Sequence, residues 1–117
     1  MTDDELARLA ERESEARERA ERLRGLLASL VEAADGANVD DEHDPEGSTL
    51  AFERQQVAAL LRQAEGDLVD LAAARERVAD GTYGRCEVCG GPIGAGRLEA
   101  RPTARACVVC AGATRRR

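Results

Sequence analysis

Four cysteines in the last third of the chain constrain its fold more than any other feature. They form two C-x-x-C pairs, Cys86 with Cys89 and Cys107 with Cys110, separated by 17 residues. This spacing is typical of a tetrahedral site in which four thiolates bind one zinc ion. Because all four ligands are cysteines, no coordination position is open to water or substrate, so the zinc is predicted to be structural. We expect it to fold residues 81–117, which carry few large apolar side chains.

Two other uses of the cysteines are disfavoured. A pair of disulfides requires an oxidising compartment, whereas this chain has no N-terminal apolar leader and no apolar run of about 18 residues. We therefore expect a cytoplasmic protein without a membrane association. A redox C-x-x-C motif would not need a matched second pair. The single histidine, His43, lies far from the cysteines on an acidic turn and is expected to be solvated.

Two segments before the cysteines have the apolar spacing of long helices, from about residue 2 to 34 and from about 48 to 79. Charged residues make up 34% of the chain with the two signs interleaved, which suits solvated helices. Apolar residues alternate at three and four positions, as in a coiled-coil seam. The first seam comprises Leu6, Leu9, Ala16, Ala20, Leu23, Leu27, Leu30 and Ala34, and the second comprises Leu50, Val57, Leu61, Ala64, Leu68, Leu71 and Val78. Glu13, Arg54 and Arg75 interrupt them.

The short connection between the two segments favours an antiparallel hairpin. An intermolecular coiled coil and a helix pair packed on another protein are the alternatives. Aligning the two seams places Glu13 and Arg75 each opposite a leucine. The predicted fold is mainly α, with a long antiparallel two-helix coiled-coil hairpin over residues 1–80, an acidic tip at 35–47, and a small C-terminal four-cysteine zinc-finger head over 81–117 that ends in a short basic tail.

The charge is divided unevenly along the chain. Residues 1–80 contain 10 Arg and 21 acidic residues, whereas residues 81–117 contain 7 Arg and 2 acidic residues. An acidic hairpin is a poor ligand for duplex DNA, because nonspecific DNA binding depends on neutralising phosphates. With no open metal position and no nucleophile paired with a base, the chain is not predicted to be an enzyme.

The segment around the cysteines carries a distinctive pattern. Residues 80–90 read DGTYGRCEVCG and residues 97–104 read RLEARPTA. Together with the spacing of the four cysteines, these motifs resemble the DksA/TraR family of zinc-finger transcription regulators. The resemblance implies a bacterial protein that binds RNA polymerase directly and inserts its hairpin into the secondary channel. It also implies functional acids at the tip and basic contacts in the head. The tip residues are Asp40, Asp41, Asp44 and Glu46, and the head residues are Arg97 and Arg101.

The chain departs from the family pattern in two places. Asp41 and Asp44 have the spacing of the family's Asp-x-x-Asp-x-Ala tip, but Glu46 stands where Ala would be. The second helix has no cation along Gln63, Gly66, Asp67 and Asp70, where some members hold guanosine tetraphosphate, so we expect weak or absent dependence on this alarmone. We expect a monomer. A zinc-dependent DNA-binding protein and a coiled-coil adaptor for another partner remain as alternatives.

Overall fold

The computed structural model describes residues 2–37 and 45–115, and within these ranges the chain is mainly helical. The helices are α1 (Thr2–Ala37), α2 (Pro45–Asp80), α3 (Ala95–Ala100) and α4 (Val108–Arg115). The described residues contain no strand, only an isolated antiparallel bridge between Arg85 and Pro92. None of their helices is long and apolar enough to cross a membrane. The predicted helical fold class is confirmed, and α1 and α2 extend beyond the predicted ends at the turn between them.

The ends of the two long helices follow from local sequence. Acidic residues occupy the first turn of α1, where the helix dipole favours negative charge. Helix α2 begins at Pro45, whose missing N–H would be unpaired there in any case. At the other end of α2, Gly81 has a φ of 82° and the N–H of Thr82 donates to the carbonyl of Arg77 at 2.9 Å. Glycine in this left-handed conformation is a common helix terminator.

The chain divides into two compact units, one formed by residues 1–13 and 69–117 and the other by residues 14–68. Each unit contains one stretch of α1 and one of α2. In the second unit, Arg19 pairs with Asp67 and Arg24 pairs with Glu65. Since the position on α2 falls as the position on α1 rises, the two helices are antiparallel in this unit. The division into a hairpin and a head after residue 80 remains a prediction.

The predicted seams are largely confirmed by burial. In the second unit Ala16, Ala20, Val57 and Ala64 are buried, and Leu23, Leu27, Leu30, Leu61 and Leu68 are half-buried. In the first unit the buried seam residues are Leu9, Leu71, Ala74 and Val78. Ala74 was not predicted to lie in the seam, and Leu6, which was, is 36% exposed. Alanine occupies four of these eight buried positions, and its small side chain allows a close approach of the helices there.

Glu13 and Arg75 bind each other, a contact that the alignment of the seams did not predict. A guanidinium nitrogen of Arg75 donates to a carboxylate oxygen of Glu13 at 3.0 Å. The Glu13 side chain is only 11% exposed, whereas that of Arg75 is 50% exposed. A carboxylate at a buried seam position must accept charge-assisted hydrogen bonds to offset its lost hydration. The pair therefore allows the seam to continue through a polar position.

We predict that the Glu13–Arg75 pair contributes more to stability than an exposed pair on the same hairpin. A double-mutant cycle with Glu13→Ala and Arg75→Ala should give a coupling free energy of about 1–3 kcal/mol, because the acceptor is buried and charged. Urea denaturation followed by circular dichroism provides the measurement.

The matched control is the pair Arg24–Glu65, at 3.2 Å, with both side chains about half exposed. Its cycle should give less than about 1 kcal/mol. Equal coupling energies for the two cycles would contradict a special role for the buried pair.

Candidate metal centre

The four cysteines converge on one point. Their sulfur atoms all lie within 4.8 Å of one another, and the Cys89 and Cys107 sulfurs are 4.0 Å apart. Cys86 is buried, Cys107 and Cys110 are half-buried, and Cys89 is exposed. Zn–S bonds of about 2.3 Å in a tetrahedron place sulfurs about 3.8 Å apart. The donor set and its spacing therefore fit one four-coordinate zinc ion.

The first cysteine pair lies on a tight turn that glycine makes possible. The N–H of Gly90 donates to the carbonyl of Cys86 at 2.9 Å, and the N–H of Cys86 donates to the carbonyl of Gly91 at 2.8 Å. Gly90 has a φ of 75°, which side chains on Cβ disfavour. This conformation reverses the chain directly after Cys89 and brings both sulfurs of the pair to the same side.

The second cysteine pair is held by the start of a helix. Cys107 directly precedes α4, Cys110 lies in its first turn, and the N–H of Ala111 donates to the carbonyl of Cys107 at 2.9 Å. The positive end of the helix dipole favours negative charge at this position. Helical geometry thus places the second two thiolates where the dipole stabilises them.

The loop that leads to the second pair is held at its beginning by two side chains. The hydroxyl of Tyr83 donates to the carbonyl of Pro102 at 2.7 Å, and Arg77 donates to the carbonyl of Thr103 at 3.4 Å. Burial raises the pKa of Tyr83, which keeps its phenol protonated as a donor. The end of α2 and the turn after it therefore fix the path of this loop.

The same loop is held again just before the cysteine. The N–H of Glu87 donates to the carbonyl of Arg105 at 2.9 Å, and Nε of Arg97 donates to the carbonyl of Ala106 at 2.8 Å. Donors from the first cysteine turn and from α3 thus bind the two carbonyls that precede Cys107. We call the four donor contacts to the carbonyls of residues 102, 103, 105 and 106 the carbonyl clamp. It positions the second cysteine pair relative to the first.

A small apolar core lies beside the sulfurs. Its buried members are Cys86, Ile93, Leu98 and Ala104, and Tyr83, Ala106, Cys107 and Cys110 pack against them. Gly84 has a φ of 86°, which side chains with a Cβ rarely adopt, and an added Cβ would lie in ordinary van der Waals contact with Cδ1 of Leu98 at 3.5 Å. With so few apolar side chains, the head depends on its metal for stability.

The surroundings shift the pKa values of the thiols in opposite directions. Hydrogen bonds from the backbone N–H groups of Cys89 and then Cys107 lower the pKa of Cys86 to about 6. The backbone N–H of Cys110 lowers the pKa of Cys107. The side-chain hydrogen bond with Cys107 raises the pKa of Cys110 to about 12. Four sulfurs this close repel one another as thiolates, and a divalent cation relieves that repulsion.

The two predicted head residues lie in different environments. Arg97 is half-buried and belongs to the carbonyl clamp, whereas Arg101 is exposed. Of the predicted tip residues, Asp40, Asp41 and Asp44 lie outside the described residues. Glu46 lies in the first turn of α2, and its side chain is also outside the described part.

Sequence reasoning did not predict the structural roles of Tyr83 and Arg77. Tyr83 is the only tyrosine in a chain that also has one phenylalanine and no tryptophan. An isolated aromatic residue three positions before a zinc ligand was the available signal. For Arg77 the sequence offered none, because its contact with Thr103 joins residues 26 positions apart.

Comparison with known proteins gives consistent matches. The family model described as the prokaryotic dksA/traR C4-type zinc finger matches residues 81–116. The RNA polymerase-binding transcription factor DksA of Caulobacter vibrioides is 34% identical over 90 residues, which cover 77% of this chain and 56% of that protein. The Escherichia coli K12 protein of the same name is 54% identical over 35 residues, 30% of this chain and 23% of its own.

A solved structure matches nearly the whole chain. The structure of transcription factor DksA2 from Pseudomonas aeruginosa aligns with a TM-score of 0.79 and 30% identity, covering 98% of this chain and 83% of that one. The Caulobacter, Escherichia and Pseudomonas relatives are all transcription factors and not enzymes. The C4 zinc-finger match and the converging sulfurs identify the cofactor as one structural zinc ion.

We predict that zinc removal unfolds the head. Ile93 is the only isoleucine in the chain and is 6% exposed, so its δ1-methyl NMR signal reports on the head core alone. On chelation this signal should move to its random-coil position, since the core is too small to persist without the metal. Signals from residues 14–68 should change little.

The control is the same chelator presaturated with zinc, which should leave the Ile93 signal unchanged. A native Ile93 signal in protein shown by metal analysis to be zinc-free would contradict the prediction.

Proposed function

Because this chain belongs to the DksA/TraR family of C4-type zinc-finger proteins, we propose that it is a transcription regulator that binds bacterial RNA polymerase directly. The alignment with DksA2 over 98% of the chain carries the proposal, since it includes both long helices and the zinc head. The chain spans little more than half the length of the Caulobacter relative, so RNA polymerase is a proposed partner of this chain. The expected cytoplasmic location follows from this partner.

We propose that the hairpin enters the polymerase's secondary channel with the turn between α1 and α2 foremost. The acidic residues of the tip, Asp40, Asp41, Asp44 and Glu46, then approach the catalytic machinery and modulate initiation. Asp41 and Asp44 are the pair with the family spacing. The 15 acids that residues 1–80 carry outside segment 35–47 would also disfavour competition by DNA for the same surface.

The head is proposed to add binding at the mouth of the channel. Arg101 is the head residue that we propose for contact with the polymerase, because it is exposed and its side chain makes no hydrogen bond or ion pair with the described residues. Arg97 is instead held within the head by its hydrogen bond to Ala106. Neither sequence-specific DNA binding nor dimer formation is part of the proposed mechanism.

A competition experiment tests the proposed partner. The zinc-loaded protein is titrated against purified bacterial core RNA polymerase, with a cleavage factor that occupies the secondary channel as competitor. Binding that the competitor abolishes supports the proposal. If the protein does not bind, or if the competitor has no effect, the chain has another partner.

We predict that the tip acts after binding. The variant Asp41→Ala with Asp44→Ala should keep its affinity for polymerase within about threefold, because the hairpin and the head are proposed to supply the binding and a surface ion pair contributes little, but should lose its effect on transcription in vitro. The control is Glu18→Ala with Glu21→Ala, which removes two exposed acids of α1 at the same spacing. It should behave as the wild type. If the tip variant remains fully active, these residues are not the functional tip.

We also predict weak or absent dependence on guanosine tetraphosphate. On α2, a carboxylate oxygen of Asp67 lies 4.0 Å from a guanidinium nitrogen of Arg19 and so pairs with that cation, and Asp70 adds a further exposed negative charge. These acids should repel a polyphosphate. Polymerase affinity is measured with the nucleotide and, as an ionic control, with guanosine diphosphate. A several-fold increase specific to the tetraphosphate would contradict the prediction.

A further inference from the structure

The part of the hairpin next to the acidic tip carries few charges. We call residues 25–34 of α1 and 49–64 of α2 the distal hairpin. It carries four charged residues among 26, namely Glu32, Glu53, Arg54 and Arg62, whereas residues 3–24 of α1 carry 14 among 22. A solvated helical hairpin is normally charged along its outer faces. The low charge of the distal hairpin therefore suggests a surface that is covered in the protein's working state.

Four large apolar side chains of the distal hairpin are exposed, of which Val31 is the least exposed at 37%. Leu26 is 49% exposed, Leu60 is 51% exposed, and Phe52, the only phenylalanine in the chain, is 62% exposed. We call these three residues the distal patch. Scattered exposed apolar residues are ordinary in proteins, so their arrangement relative to one another decides whether they form a surface.

Leu26 and Leu60 occupy equivalent flanking positions on the two helices. Arg19 of α1 and Asp67 of α2 form an ion pair at 4.0 Å. In an antiparallel coiled coil, flanking pairs recur after seven residues on each helix. One heptad closer to the turn, the positions of Arg19 and Asp67 are taken by Leu26 and Leu60. Two leucines thus replace an ion pair on the same flank of the hairpin.

Phe52 extends this surface along α2. It lies eight residues before Leu60, which is about two turns along the helix with a rotation of roughly 80°. Between them, Gln56 and Ala59 are exposed and uncharged. The distal patch is therefore joined by neutral residues into one continuous surface, with Glu53 at its edge.

We propose that Leu26, Phe52 and Leu60 form an apolar docking surface for a wall of the polymerase lined by aliphatic or aromatic side chains. This inference rests on the proposed function and deepens it by naming the surface that contributes affinity. The distal hairpin leads directly into the predicted tip, so a site that receives the tip must also enclose the distal patch.

A second copy of the chain is a poorer occupant. Large apolar side chains offer at most about 150–250 Å² each, and these three are only about half exposed, so the distal patch offers on the order of 300 Å². A stable dimer buries about 800 Å² per partner. The distal patch fits one part of a larger interface, to which the head adds the binding proposed at the mouth of the channel.

The test measures polymerase affinity for Leu26→Gln, Phe52→Gln and Leu60→Gln, singly and together. Glutamine keeps helix propensity while removing the apolar contact. We expect a several-fold loss of affinity for each variant and at least about tenfold for the triple variant. The matched control is Val69→Gln, a residue of α2 that is 69% exposed but outside the distal patch. It should bind as the wild type does. Circular dichroism confirms folding, and Phe52→Gln, the most exposed position, remains informative if a leucine variant unfolds.

The outcomes separate the inference from the proposed function. If the wild type binds polymerase, and the distal variants weaken this binding while Val69→Gln does not, the proposed function and the docking surface are both supported. If the wild type binds polymerase and the folded distal variants bind it equally well, the docking surface is overturned but the proposed function is not. Failure of the wild type to bind polymerase overturns the proposed function and the inference with it. Concentration-dependent dimerisation that the distal variants abolish, measured by sedimentation, would assign the distal patch to a second copy and overturn the inference.

Discussion

The coordination of four thiolates by one ion is the constraint on which the head depends. Burial alone cannot fold this segment, because Ile93 and Leu98 are the only large aliphatic residues in its buried core. Without the ion, the sulfurs that define the core would repel one another as they ionise. When the metal is bound, its attraction for the four thiolates outweighs their mutual repulsion and becomes the main source of stability for the head. The helices α3 and α4 are too short to be stable alone. Helix α4 carries the ligand Cys110, and α3 is held beside the second cysteine pair by the hydrogen bond from Arg97 to Ala106.

The carbonyl clamp complements the metal with directional bonds. A metal ion fixes the distances between four sulfurs but does not determine the path of the chain between the two pairs. Donors from Arg77, Tyr83, Glu87 and Arg97 define that path by binding carbonyls that a loop would otherwise leave to water. Arg77 lies near the end of α2 and Tyr83 lies just after it. Their contacts therefore fix the position of the loop relative to the helix as well as to the metal.

The features that the sequence predicted are those set by local periodicity or fixed spacing. The C-x-x-C pairs predicted a metal site because two ligands on one turn are a local property, and the apolar spacing predicted the seams. Contacts between residues far apart were not predictable. Glu13 and Arg75 are separated by 62 residues, and the alignment of the seams did not predict their contact because it compared positions and not the reach of long side chains. Likewise, RLEARPTA marked Arg97 as a contact residue, although its guanidinium turns inward to a backbone carbonyl.

The alanines of the seam have a consequence for the dimensions of the hairpin. Where Ala16, Ala20 and Ala64 are buried, no branched side chain holds the helix axes apart, so the axes can approach to the short end of the usual range of about 8–10 Å. Each alanine also buries about three fewer carbons than leucine, at about 0.8 kcal/mol per methylene. The hairpin thus gives up cohesion where its helices can pack closely, which would suit the proposed entry into the secondary channel of the polymerase.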